Sequence, residues 1–182
     1  MKIRLAADLQ PDSVVDGAGI RTVIWTQGCE HNCIGCHNPE THDINDGAEF
    51  DIEEIFEKID ELVGQDGITF SGGDPMMQPG ACYEIAKYAK SKGLDVWCYT
   101  GYTYERLIEL SKKNKSIADF LNIIDVLIDG PFVLKKRSLS LKFRGSKNQR
   151  IIDVAQTLRD GKIVLLDEEE NITFSRPEGI YI

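Results

Sequence analysis

Hydrophobic and polar positions form two kinds of pattern along the chain, one typical of strands and one typical of helices. Short apolar runs, such as 20–26 and 68–70, are typical of buried strands. Asp51 is a favourable N-cap with Glu54 in capping-box register, and apolar side chains then recur every three or four residues. This amphipathic stretch predicts a helix that packs on a sheet through one face. The face consists of Ile52, Ile55, Phe56, Ile59, Leu62 and Val63.

The same order of strand and helix repeats further along the chain. The other predicted elements are helices over 80–92 and 103–112 and strands over 95–99 and 123–128. Repeated strand–helix–strand units imply a parallel sheet with right-handed crossovers, and too few units are present to close an eight-stranded barrel. We therefore expect one α/β domain over 1–182, built as an open, partial parallel β/α barrel. Apolar runs on either side of Asp160-Gly161 predict a β-rich C-terminal tail over about 151–182.

Composition and charge exclude several classes of protein. The chain has 182 residues, of which 42% are hydrophobic, so it can bury a core without disulfides. Its net charge of -9 would be repelled by a phosphate backbone, so we expect no nucleic-acid partner. The sequence contains no continuous apolar segment of the length that a membrane span requires. We expect a cytoplasmic protein with no membrane partner.

Three of the five cysteines lie close together, within the loop 28–39. Cys29, Cys33 and Cys36 could supply three thiolates to one metal centre, which suits a reducing compartment better than a disulfide framework does. A cubane iron–sulfur cluster has four irons to ligate, so three cysteines leave one iron open. An open position is typical of a catalytic metal site. Cys82 and Cys98 are expected to pack in the core instead.

A zinc site is the alternative that these cysteines leave open. His31, His37 or His42 could complete a closed tetrahedral set with the three thiolates. The protein would then be a zinc-stabilised binding module without catalysis.

A glycine-rich segment, 71–75, follows a predicted strand. Gly72 and Gly73 would let a ligand approach bare backbone. Carbonyl groups at this strand end, together with Asp74, could accept hydrogen bonds from an ammonium group. Alone, the segment is compatible with a simple turn.

The gaps of three and two residues between the cysteines resemble the radical S-adenosylmethionine (SAM) signature. This resemblance implies a [4Fe-4S] cluster whose open iron binds the amino and carboxylate groups of SAM, with the glycine motif holding the amino group. It also implies a partial barrel of the radical SAM type. Gly35 stands where an aromatic residue near the adenine is common, and the resemblance implies that Gly35 and Cys36 contact the bound cofactor. His37 is expected to stack on adenine or to hydrogen-bond near the cluster, although an ordinary polar loop histidine remains equally compatible.

Further segments resemble the activating proteins of anaerobic ribonucleotide reductase. The segment 144–150, Arg-Gly-Ser-Lys-Asn-Gln-Arg, is the most discriminating of them. The others are 19–21, 25–29, 99–103 and 125–132. The resemblance implies that a 5′-deoxyadenosyl radical removes hydrogen from a glycine of the large reductase subunit, and that an electron donor such as flavodoxin serves the cluster. An activase of another glycyl-radical enzyme, such as pyruvate formate-lyase, is the nearest alternative.

One strip of the otherwise acidic chain is strongly basic. Between Lys135 and Arg150 there are seven basic residues and no acidic ones. The strip could dock an acidic surface of the reductase or of the electron donor. A solvated lysine-rich loop is equally compatible with the pattern.

Overall fold

The strands that carry the predicted site lie together at the centre of one sheet. A computed structural model describes residues 1–166, which contain eight strands: β1 (Lys2–Leu5), β2 (Gln10–Ser13), β3 (Arg21–Thr26), β4 (Ala48–Asp51), β5 (Gly67–Gly72), β6 (Asp95–Tyr99), β7 (Val126–Asp129) and β8 (Arg150–Asp153). They form one sheet in the order β4-β1-β3-β5-β6-β7-β8, with β2 paired to β3 outside this path. The protein is a mixed α/β fold.

The four central strands run parallel, as the strand–helix repeats predict. β3 pairs with β5, β5 with β6, and β6 with β7, all in parallel register. Their carboxyl ends therefore meet at one edge of the sheet, where ligand sites of parallel sheets form. The outer strands β1, β2, β4 and β8 are antiparallel to their neighbours.

Residues 1–166 contain five α-helices: α1 (Ile52–Asp60), α2 (Pro79–Ser91), α3 (Tyr104–Ser111), α4 (Lys115–Ile123) and α5 (Val154–Asp160). The main hydrophobic core lies between the sheet and these helices. Cys82 and Cys98 are fully buried in it, as predicted. α1 ends before Val63, which was expected on its apolar face and is 86% exposed. None of the helices in residues 1–166 is long and apolar enough to cross a membrane.

The tail differs from the β-rich structure that the sequence predicted. β8 confirms one predicted strand, but helix α5 follows it directly. The cause is local, because the Asp153 carboxylate accepts a hydrogen bond of 2.7 Å from the backbone N–H of Gln156 and so caps a helix. One isolated bridge, between Ile152 and Leu165, continues the antiparallel pairing. The part of the predicted tail over 167–182 lies outside the described residues.

The other face of the sheet is held together by a buried arginine. Arg21 is fully buried, and its guanidinium donates to the Thr69 hydroxyl at 2.7 Å and to the Asp95 carboxylate at 2.5 Å. It also lies 5.1 Å from the centre of the Trp97 ring and donates to the carbonyl of Ala18 at 3.0 Å. Arg21 thereby holds the loop before β3 against this face of the sheet.

Substitution of the partner of Arg21 should destabilise the fold. The change Asp95→Asn keeps the side-chain shape but leaves a buried cation uncompensated, so we expect the free energy of unfolding to fall by about 3 kcal/mol. Urea unfolding of the metal-free protein measures this. The matched control is Glu49→Gln, which breaks the exposed pair with Lys2 and should cost less than about 1 kcal/mol. Equal losses in the two variants would contradict the role given to Arg21.

Candidate active site

A cavity of about 410 Å³ opens beyond the carboxyl ends of the central strands. This volume lies within the range of small-molecule and cofactor sites. Its walls include six of the predicted site residues: Cys29, Cys33, Cys36, His37, Gly72 and Gly73. The structure thus brings the cysteine loop and the glycine segment to one space. Gly35 and Asp74, the other two predicted residues, do not line it.

The cysteine loop is fixed mainly through its backbone. The N–H of Cys29 donates to the carbonyl of His42 at 3.1 Å, and that of Cys36 to the carbonyl of Cys33 at 3.1 Å. Gly35 has a φ of 75°, in the left-handed region that favours glycine, and a Cβ there would lie 3.1 Å from a methyl group of Leu134. The glycine before the third cysteine is therefore explained by the turn, and its contact with a cofactor stays a prediction.

The environment of Cys29 and Cys33 opposes ionisation of these two thiols until a metal binds. Burial raises the pKa of Cys29 to about 11 and also raises the pKa of Cys33. Backbone N–H groups of His31 and Phe132 act in the opposite direction, since they hydrogen-bond to these two sulfurs. Metal binding must release the protons, and the same N–H groups would then stabilise the metal-bound thiolates.

A cluster and a zinc ion require different spacings of the three cysteine sulfurs. Among residues 1–166, no three His, Cys, Asp or Glu side chains form a group that could hold a single metal ion. A tetrahedral zinc site needs its sulfurs only about 3.8 Å apart, given bonds of about 2.3 Å. A cubane cluster allows a wider set, because each cysteine binds a different iron.

The histidines give a second indication of what the cavity holds. The Nε2 atom of His31 is 2.7 Å from the Asp74 carboxylate, so it is already engaged away from the cysteines. The Nε2 atom of His42 is buried and has no hydrogen-bond partner among the described residues, although His42 lines the cavity. A buried polar atom without a partner is costly, and a polar ligand in the cavity would relieve that cost. The donor set and this orphan atom together fit a cluster with a bound polar cofactor.

The glycine segment packs directly on the start of the cysteine loop. The N–H of Asp74 donates to the carbonyl of Gly28 at 2.8 Å, and the N–H of Gly73 donates to the carbonyl of Thr26 at 2.7 Å. A Cβ at Gly73 would lie only 2.3 Å from the Gly28 oxygen. From the sequence, this glycine was expected to let a ligand approach the backbone. In the structure its nearest neighbour is the backbone that leads into Cys29.

Asp74 joins three loops of the site. Its carboxylate is fully buried and accepts hydrogen bonds from the N–H of Met76 at 2.9 Å, from the Thr100 hydroxyl at 3.0 Å and from the N–H of Gly101 at 2.9 Å. The bond to His31 adds the cysteine loop and raises the pKa of that imidazole. With its oxygens occupied in this way, Asp74 positions the site, and its direct contact with a cofactor stays a prediction.

Two aromatic side chains extend the site beyond the predicted residues. The Phe132 ring lies 4.9 Å from the His37 ring, and both line the cavity. Tyr99 lines it from the end of β6. Two signals in the sequence pointed to these residues. Both fall at or just beyond the end of a predicted strand, where functional loops gather, and both lie in segments, 99–103 and 125–132, that carry the family resemblance.

A methyl group at Gly73 should disturb the metal site as well as the cofactor pocket. Because its Cβ would meet the backbone of Gly28, we expect Gly73→Ala to reduce the iron bound after anaerobic reconstitution several-fold. The matched control is Gly80→Ala in helix α2, whose Cβ would make an ordinary contact of 3.6 Å with Ser116 of helix α4. Iron and sulfide analysis measures the effect. If Gly73→Ala retained full iron content and lost only SAM binding, the proposed contact with the cysteine loop would be wrong.

Comparisons with known proteins give one consistent family. Residues 15–152 match the family described as 4Fe-4S single cluster domain. The anaerobic ribonucleoside-triphosphate reductase-activating protein of Escherichia coli (strain K12) is 36% identical over 148 residues, which are 76% of this chain and 92% of that protein. The proteins of the same name from Vibrio cholerae and from Enterobacteria phage T4 are 34% and 32% identical, over 78% and 79% of this chain and 92% and 90% of their own lengths.

A solved structure, that of QueE from Escherichia coli, overlaps part of the chain. The TM-score is 0.47 at 13% identity, with 57% of this chain and 54% of QueE covered. The family assignment comes from the sequence relatives, which match over most of both chains. The chain therefore belongs to the family of anaerobic ribonucleoside-triphosphate reductase-activating proteins and carries the 4Fe-4S single cluster domain.

Proposed function

We propose that this protein activates an anaerobic ribonucleotide reductase by creating a glycyl radical on its large subunit. Cys29, Cys33 and Cys36 would hold a [4Fe-4S] cluster that, when bound and reduced, would supply the electron for cleaving SAM into methionine and a 5′-deoxyadenosyl radical. This radical would remove hydrogen from a glycine Cα. The observation that carries this proposal is the meeting of three cysteines and the glycine segment in one cavity of a chain from this family.

We assign the cluster to Cys29, Cys33 and Cys36, with the fourth iron left for SAM. Gly72 and Gly73 present backbone to the same cavity, so we assign the amino group of SAM to that wall. Asp74 would act on this wall indirectly, by holding the loops that form it. His37 and Phe132 each present an aromatic ring to the cavity, tilted by 47° to one another, and an adenine could stack on the face of either ring.

The residues around the thiols control conditions for the chemistry. Burial of Cys29 limits water at the cluster, and a drier site strengthens every electrostatic interaction within it. Amide N–H groups directed at the sulfurs would tune the reduction potential of the cluster. In this way the backbone of two loops sets the electronic environment of the cofactor.

The partners and the setting complete the proposal. A sheet that curves as a partial barrel would leave an open side through which the glycine loop of the reductase reaches the cavity. A small electron-transfer protein such as flavodoxin would supply the electron. Thiolate ligands for a cluster suit the reducing conditions of the cytoplasm. An activase for pyruvate formate-lyase would share the cavity, but the names of the relatives favour the reductase.

Removal of one proposed ligand tests the chemistry. We expect Cys33→Ala to abolish cluster binding and formation of 5′-deoxyadenosine, because two remaining cysteines cannot hold the cubane. Cys82→Ala is the control, since Cys82 is fully buried in the core and away from the cavity. The protein is reconstituted anaerobically, mixed with SAM, dithionite and the anaerobic reductase, and examined for a glycyl radical by electron paramagnetic resonance.

Two results would contradict the proposal. One is equal loss of activity in the two variants at equal folded fraction. The other is a wild-type protein that binds zinc at the three cysteines and never forms 5′-deoxyadenosine, which would favour the zinc-binding module.

A further inference from the structure

The segment 144–150 forms a framework for a loop. In 144–150, the side-chain oxygen of Gln149 accepts from the N–H groups of Gly145 and Ser146 at 3.0 and 3.1 Å. The side-chain N–H of Gln149 donates to the carbonyl of Gly130 at 3.1 Å, and that of Asn148 donates to the carbonyl of Pro131 at 2.8 Å. These bonds tie the end of the stretch 130–149 to its beginning. We call this stretch the clamped loop.

Arg150 anchors the clamped loop to the sheet. Its guanidinium binds the Asp129 carboxylate, which is 1% exposed at the end of β7, and the Glu105 carboxylate at 2.8 Å. Asp129 in turn accepts from the N–H of Tyr104 at 2.8 Å, at the start of α3. A loop held at both ends and anchored in this way keeps a defined shape at the carboxyl-end edge of the sheet.

The inner side of the clamped loop forms part of the cavity. Phe132, Phe143 and Gly145 line it. The backbone N–H of Phe132 hydrogen-bonds to the Cys33 sulfur, and Leu134 packs on Gly35 in the cysteine loop. The clamped loop and the cysteine loop are therefore one continuous surface at the cavity mouth.

The outer side carries charge and apolar groups that the described fold does not use. Five of its basic side chains are exposed and have no ion-pair partner within residues 1–166: Lys135, Lys136, Arg137, Lys142 and Lys147. Leu139 is 90% exposed beside them, and Ile34 of the cysteine loop is 81% exposed. Such a cationic and apolar surface is unusual in a chain with a net charge of -9.

We propose that the clamped loop, together with Ile34, docks the protein that donates the glycine hydrogen, through an acidic and partly apolar surface around that glycine. This inference rests on the proposed function. The glycine Cα must enter the cavity, so its protein has to cover the mouth that the clamped loop borders, whereas an electron donor needs only to approach the cluster. The cations would accelerate the encounter, and Leu139 and Ile34 would supply contact at the rim.

Charge reversal tests the docking surface. We expect Lys135→Glu/Lys136→Glu to slow glycyl-radical formation at sub-saturating reductase by about tenfold or more at low salt, with a smaller difference at high salt. Dithionite serves as the electron source, so no protein donor is involved. The control is Lys112→Glu/Lys113→Glu, two exposed lysines at the end of α3 far from the cavity mouth. Iron content and 5′-deoxyadenosine formed without the reductase should stay at wild-type values in both proteins.

Two substitutions that change no charge test the apolar part of the docking surface. Leu139→Ser should raise the reductase concentration needed for half-maximal radical formation several-fold, because an exposed leucine at the rim would be buried by the partner. Val63→Ser is the control, as Val63 is 86% exposed at the opposite edge of the sheet, next to the start of β5.

The outcomes separate this inference from the proposed function. If the wild-type protein forms no glycyl radical, the proposed function fails whatever the variants do. If wild type is active and the control variants lose as much as the test variants, the docking surface is wrong. If the lysine variant is slow only when flavodoxin replaces dithionite, the surface belongs to the electron donor and the proposal is overturned.

Discussion

The contact on which the site depends is the close approach of two stretches of backbone at the ends of neighbouring parallel strands. Gly73 lies against the carbonyl of Gly28, and only hydrogen atoms fit between the chains there. The parallel register of β3 and β5, which sets Thr26 beside Gly72, makes this approach unavoidable. Cys29, the first proposed cluster ligand, directly follows Gly28 in the chain. Its position is therefore set by a contact between two stretches of backbone.

Asp74 adds a third strand end to this contact, because its side chain joins the loop after β6 to the loops after β3 and β5. A buried carboxylate needs several donors, and the fold supplies them from the cysteine loop, from its own turn and from the loop after β6. Loss of any one donor would leave part of a buried charge uncompensated, so the three loops hold each other in place. The cavity wall is thus held by hydrogen bonds that require no cofactor, and preorganisation of this kind limits the entropy lost on binding.

The features of the site that are local in sequence could be predicted, and those that depend on distant contacts could not. The cysteine spacing, the glycine segment and the capping of α1 by Asp51 and Glu54 are each readable within a few residues. Asp74 resembled a ligand for an ammonium because three of its four hydrogen-bond partners, His31, Thr100 and Gly101, come from other loops. β1, β2 and β4 were missed because they are short, and β2 and β4 are largely exposed, so they show no apolar run. Helix α5 was missed because its cap, Asp153, belongs to the preceding strand.

The two most specific sequence signals have different physical tasks. The cysteines and the glycine segment build the cavity, and this part would serve any enzyme that uses the same cofactors. The segment 144–150 contributes little to that cavity beyond Arg144, Gly145 and Gln149, and most of its hydrogen bonds hold the clamped loop in shape. Because Asn148 and Gln149 hold the clamped loop through their side-chain hydrogen bonds, the charge and apolar character of its outer face can vary without loss of its shape. One fold could therefore act on different partner proteins. The clamped loop at the cavity mouth would determine which partner binds, while the cysteines and the glycine segment would keep the chemistry the same.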